Sequence, residues 1–153
     1  METCNNKIEN DNKEMRYNKK YLEIAEKISE LSHANRKKVG CIIVKDTVII
    51  SDGFNGTPTG FENKCEDSEG VTKWYTLHAE ANAIAKLAQS NESSKDAELF
   101  CTYLPCLECA KLIHQAGIKK VYYREDLDTS KGSGREFLEN SKIKLECVIP
   151  DIE

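Results

Sequence analysis

The chain has little of what would decide its class at once. Positive charge is not in excess: 22 Lys and Arg against 26 Asp and Glu leave a net charge of −4. Nonspecific binding to a polyanion normally needs a basic face, so that class of function is disfavoured. No apolar run reaches the length of a membrane helix; even the β-branched stretch Ile42–Ile50 is broken by Lys45, Asp46 and Thr47. Met1–Lys20 is polar and rich in Asn and Lys, which does not fit a secretory signal. Nor is there an even, regularly spaced set of cysteines. The seven present stand at positions 4, 41, 65, 101, 106, 109 and 147, a poor disulfide framework. The expectation is a soluble protein of the cytoplasm whose thiols are packed, or hold a metal.

What is there suits one ordinary domain. A chain of 153 residues buries roughly two thirds of its unfolded surface. With 39% apolar and 31% charged residues it is not a disordered composition. Residues 1–14 read as a disordered leader and 15–153 as a single domain. In the helix expected over 16–31, Tyr17, Tyr21, Ile24, Ala25, Ile28 and Leu31 recur at helical spacing. Two β-branched runs, 39–44 and 48–51, joined by Lys45-Asp46-Thr47, predict a hairpin. A long loop over 53–70 follows, then a helix over 77–90 and a strand over 99–102. Pro105 opens a helix that stops at Gly117, the usual Pro-first, Gly-last asymmetry. A strand over 118–123, a loop over 128–134, a helix over 135–140 and a strand over 143–149 complete the order. This alternation of elements predicts an α/β fold with a sheet covered on both faces.

Two short segments carry chemistry: His78-Ala79-Glu80 and Pro105-Cys106-Leu107-Glu108-Cys109. Each is expected where a helix begins. Cys106 and Cys109, three apart, share one face of a first turn and can pinch one ion. A helix amino terminus favours negative charge and so prepares both thiolates. His78 adds a nitrogen donor, and one His with two Cys is the ligand count of an open, catalytic zinc site. Glu80, aimed at that site from the same first turn, can take a proton from a water there and pass it to a leaving group. The blander readings are half of a structural zinc site, with Cys101 or His114 as fourth ligand, and a redox pair. A structural site has no use for Glu80, and nothing else supports redox chemistry. Cys41, Cys101 and Cys147 fall in expected strands and read as small core residues.

H-x-E followed by P-C-x-x-C is the signature of zinc nucleobase deaminases. The stretch from about Leu31 to Tyr123 resembles the deoxycytidylate (dCMP) deaminases of the cytidine deaminase-like superfamily. Besides the zinc motif, the resemblance rests on Val39–Val44, on Gly53-Phe54-Asn55-Gly56 with Pro58 and Gly60, on Cys65-Glu66-Asp67, and on Cys109–Lys119. It implies a three-layer α/β/α fold with a central mixed sheet of about five strands. It also implies hydrolytic loss of ammonia from C4 of dCMP to give dUMP for dTMP supply, with one zinc ion. In that picture Glu80 shuttles protons, the Ala79 N–H holds the base oxygen, and Asn55 contacts sugar or base. Tyr103 and Leu104 set a carbonyl against the exocyclic amine, and Tyr123 walls the pocket. For Asn55 the plainer reading is a turn residue, and for the two tyrosines ordinary packing. Arg36 and Lys37 are the candidate contacts for a 5′-phosphate, because His33 stands where relatives carry an arginine. Leu104 replaces the usual Ser or Pro, and Leu127-Asp128 replaces an aromatic after the fourth strand. Many relatives are hexamers regulated by dCTP and dTTP with Mg2+, which makes Gly53 and Gly56 candidate allosteric residues.

The nearest rival is a tRNA adenosine deaminase, which must bind polyanionic RNA, and the acidic balance weighs against it. Cytosine, guanine and riboflavin-pathway deaminases, and a dCTP deaminase, stand further off. A rival of another class is a zinc-stabilised interaction module without activity, against which the presence of Glu80 argues.

Overall fold

The computed structural model describes residues 4–126 and 132–151. Leu127 and Asp128, where the chain departs from its relatives after the fourth strand, lie outside the described residues. The elements run α1 (Cys4–Ser29), β1 (Gly40–Lys45), β2 (Val48–Phe54), α2 (Ala79–Leu87), β3 (Glu98–Tyr103), α3 (Leu107–Gln115), β4 (Lys120–Glu125), α4 (Arg135–Asn140) and β5 (Lys144–Cys147). The nine expected elements are all present in the expected order.

The five strands form one mixed sheet in the order β2-β1-β3-β4-β5. β1 runs antiparallel to β2 and β3, whereas β3, β4 and β5 are parallel. The central strands β1, β3 and β4 are buried through most of their length, as strands covered on both faces must be. Alternate side chains then feed two separate cores. Cys41, Ile43, Leu99, Cys101 and Val121 face one side, where Ala79 and Ala83 of α2, Ile113 of α3 and Leu138 of α4 meet them. Ile42, Val44, Phe100 and Tyr122 face the other, under Tyr21, Leu22 and Ala25 of α1. The fold is a three-layer α/β/α arrangement. No helix among the described residues is long and apolar enough to cross a membrane.

The β1–β2 hairpin closes through Asp46 and Thr47, both with positive φ (49° and 65°). That pair of left-handed residues gives the two-residue turn whose twist matches that of the strands. The Tyr21 hydroxyl donates to the Thr47 carbonyl and ties the turn to α1.

Three expectations about packing are corrected. First, α1 is helical from Cys4, well into the segment read as a disordered leader. Glu14 explains part of this extension: it accepts from the Tyr122 hydroxyl at 3.2 Å and lies 3.7 Å from Lys120 Nζ. Second, the buried stripe of α1 is Asn18, Tyr21, Leu22 and Ala25, while Tyr17, Ile24 and Leu31 are exposed. Asn18 hides the true stripe from a hydropathy reading because it is polar yet buried. Third, Cys147 is exposed, since β5 is the sheet edge, and its thiol donates to the Arg124 carbonyl.

Candidate active site and metal centre

The sheet delivers two helix starts to one place. Ahead of α2, Leu77 and Gly56 exchange both backbone hydrogen bonds (2.8 and 3.1 Å), so the chain enters the helix extended. His78 is the N-cap, with φ −76° and ψ 154°. Close packing fixes where α2 starts: a Cβ at Gly53 would lie 2.3 Å from the Ala79 carbonyl oxygen, so β2 can approach only with a glycine there. Ahead of α3, Cys106 is the N-cap in the same extended conformation. Pro105 therefore stands one residue outside the helix rather than in its first turn. The Gly134 N–H donates to its carbonyl at 3.0 Å. Neither N-cap side chain makes a capping hydrogen bond. Both turn instead toward each other.

His78 Nδ1 lies 3.6 Å from Cys106 Sγ and 3.3 Å from Cys109 Sγ. All three donor atoms lie within 4.8 Å of one another, and they are the one such group among the described residues. Tetrahedral zinc, with bonds of about 2.3 Å to sulfur and about 2.0 Å to nitrogen, would separate S from N by roughly 3.5 Å. The donor set fits that ion in chemistry and in spacing. Cys101 and His114, the alternative fourth ligands, are engaged elsewhere. Cys101 donates to Glu80 at 3.2 Å, and the His114 ring meets Phe137 edge-on. A hydrogen bond from Cys109 holds the Cys106 sulfur well below the ordinary thiol range, and His78 adds to the effect. Cys109 keeps the proton of the pair and is pushed up accordingly.

Glu80 is 5% exposed. Burial pushes its carboxyl above the usual range, and hydrogen bonds from its own backbone and from Cys101 offset only part of that. His78, Ala79, Glu80 and Cys106 share a cavity of about 580 Å3 with Arg36, Lys37, Asn55, Tyr103 and Leu104. That volume suits a small organic ligand.

The other expected site residues divide. Lys37 Nζ sits 4.7 Å from the centre of the Tyr103 ring, joining the basic segment to the end of β3. The Asn55 side chain is spent on the backbone: its amide donates to the Lys37 carbonyl and its oxygen accepts from the Val39 N–H, both at 2.8 Å. It thus shapes the cavity by fixing the loop that carries Arg36 and Lys37. Tyr123 does not line the cavity. It is 5% exposed, and its hydroxyl accepts from Arg135 of α4 at 2.7 Å. Gly53 is buried against α2, and Gly56 makes the bridge to Leu77.

Three residues beside the cavity had no role assigned from the sequence. Glu66 Oε1 accepts from the backbone N–H groups of Asn35 (2.9 Å) and Arg36 (3.1 Å), tying the long loop to the basic one. Trp74 stands at the rim, 92% exposed. Cys65 is buried, and its carbonyl accepts from the Lys73 N–H. None of the three lies in a regular element, so no periodicity announces it.

Residues 15–125 match the model of the cytidine and deoxycytidylate deaminase zinc-binding region. A probable deoxycytidylate deaminase of Caenorhabditis elegans is 31% identical over 94% of this chain and 75% of its own length. The deoxycytidylate deaminase of enterobacteria phage T4 is 30% identical over 81% of this chain and 86% of its own. Among solved structures, the dCMP deaminase of cyanophage S-TIM5, determined in complex with dCMP and dUMP, is 45% identical. It superposes with a TM-score of 0.79 over 83% of this chain and 93% of that one.

Proposed function

This chain belongs to the cytidine and deoxycytidylate deaminase family, and on that premise we propose that it hydrolyses dCMP to dUMP and ammonia in the supply of dTMP. The observation that carries the reading is the meeting of His78 Nδ1 with two cysteine sulfurs, at 3.6 and 3.3 Å, at a cavity that His78 and Cys106 line together with the buried Glu80. His78, Cys106 and Cys109 would hold a zinc ion, which when bound supplies a Lewis acid that lowers the pKa of water toward about 7.

The remaining work belongs to the chain itself. Glu80 accepts the two protons of the attacking water in turn, returning the first to the ring nitrogen and the second to the departing amine. Water and dCMP are consumed, dUMP and ammonia leave, and the carboxylate ends as it began. The Ala79 N–H, at the amino terminus of α2, donates to the base oxygen. The backbone at Tyr103 and Leu104 accepts from the exocyclic amine. Arg36 and Lys37, held at the rim by Asn55 and Glu66, meet the 5′-phosphate. A cytoplasmic enzyme, assembled as a hexamer and regulated by dCTP and dTTP with Mg2+ through the Gly53–Gly56 segment, completes the proposal on the strength of the resemblance.

The zinc-loaded protein should be offered dCMP, dCTP, CMP, deoxycytidine and an adenosine-bearing RNA hairpin, with ammonia release followed for each. The reading expects dCMP to be preferred; turnover of the hairpin alone would overturn it. In the same assay, Arg36→Ala with Lys37→Ala should raise KM for dCMP about a hundredfold, the loss of two charge-assisted contacts. KM for deoxycytidine, which has no phosphate, should not move. An equal rise for both would place the two residues in loop structure rather than phosphate recognition.

A further inference from the structure

Glu80 is asked to serve two partners in turn, so its carboxylate must be held while it works. The backbone of α2 fixes its Cα, but the side chain has three further torsions. A buried carboxylate is held by the groups that donate to it. Cys106 and Cys109 are unavailable for this, because a thiol gives up its proton when it binds a metal. Besides the donation from its own backbone, a further thiol reaches the carboxylate. Cys101, in β3, is fully buried, and its Sγ donates to Glu80 Oε1 at 3.2 Å. Its neighbour across the antiparallel pairing is Cys41, also fully buried, so the sheet side of Glu80 is closed to water. Burial holds both thiols above the ordinary range, Cys101 well above it, so the donor keeps its proton.

We propose that Cys101 is a positioning residue for Glu80: its S–H pins Oε1 on the sheet side and leaves Oε2 directed into the cavity for proton transfer. The inference rests on the reading of Glu80 as proton carrier. A thiol suits the task because it is a weak donor. It orients the carboxylate without binding the charge so tightly that basicity is lost, as a cationic partner would. Valine matches cysteine closely in size and removes only the donor, whereas serine keeps one.

The test combines kinetics with a spectroscopic signature. Cys101→Val should lower kcat for dCMP about tenfold, the worth of one orienting hydrogen bond. KM, zinc content and Tm should stay close to those of the unaltered protein. Cys101→Ser should recover most of kcat. In the infrared, the S–H stretching band that disappears in Cys101→Ser should move to higher frequency in Glu80→Gln, where a neutral oxygen replaces the carboxylate. An unchanged kcat in Cys101→Val overturns the proposal, and so does a loss of kcat that follows zinc content or Tm. An S–H band indifferent to Glu80→Gln overturns it independently of any substrate and of whether the valine variant folds. Unaltered protein that is inert toward dCMP would instead contradict the functional reading, and the infrared comparison would still decide the hydrogen bond.

Discussion

Glu80→Gln protein should release ammonia from dCMP about 10³-fold more slowly than the unaltered protein while keeping its zinc. The amide has the shape of the carboxylate but can neither take a proton from water nor return one to the leaving amine. General acid–base catalysis by a placed side chain is worth about 10²–10⁴ in rate. The effect lies well inside that range because Glu80 serves both directions of transfer. Zinc content should be unaffected, since the three donor atoms lie on His78, Cys106 and Cys109. Stability gives a second, opposite signature. Burial raises the Glu80 carboxyl, so without metal the folded state disfavours the charged form at neutral pH. A neutral amide escapes that penalty, so metal-free Glu80→Gln should melt no lower than metal-free unaltered protein. Ammonia release, metal analysis and thermal melts on the two proteins check all three points. Near-normal turnover in the variant would remove Glu80 from the mechanism.

The second large effect is expected from the metal ligands. Cys109→Ala should lose both zinc and turnover, and it should melt about 10 °C below the zinc-loaded unaltered protein. The reasoning is linkage: a ligand held a thousandfold above its Kd stabilises the folded chain by about 4 kcal/mol, and each kcal/mol moves Tm by roughly 2–4 °C at this size. Structure says where that stabilisation acts. His78 caps α2 while Cys106 and Cys109 open α3, so one ion would tie together two helix starts that otherwise present their partial positive charges to each other. His78→Ala and Cys106→Ala should behave alike. Metal analysis alongside melts, with and without a chelator, checks the prediction. If Cys109→Ala retained full zinc and full Tm, the three-ligand site would be wrong.

Much of this could be read before any coordinates. The order of nine elements was legible because each apolar run is short and bounded by Gly, Pro or a polar cluster. The metal group was legible because ligand chemistry restricts both residue type and spacing: a histidine and a C-x-x-C pair at two helix starts have few other uses. What resisted reading depends on three-dimensional neighbours. Hydropathy placed the helical stripe on Tyr17, Tyr21, Ile24, Ala25, Ile28 and Leu31; the sheet buries Tyr21 and Ala25 of these together with the polar Asn18, and leaves Tyr17, Ile24 and Leu31 outside. Cys147 looked like core because it falls inside an expected strand, yet that strand is the edge. Tyr123 sits at a plausible strand end, but Arg135 claims its hydroxyl from a helix twelve residues on. Asn55 was read as a contact to sugar or base, while its side chain holds the backbone of residues 37–39. Cys101 was counted as core packing, and only the register of β3 beside α2 reveals the carboxylate it touches.

The most direct test of the central claim is to incubate the zinc-loaded protein with dCMP in oxygen-18 water and to weigh the product. Hydrolytic deamination predicts dUMP that carries one heavy oxygen at C4 of the base, formed with one ammonia per turnover and absent from the Glu80→Gln reaction. Unlabelled dUMP, or recovery of dCMP unchanged, would contradict it.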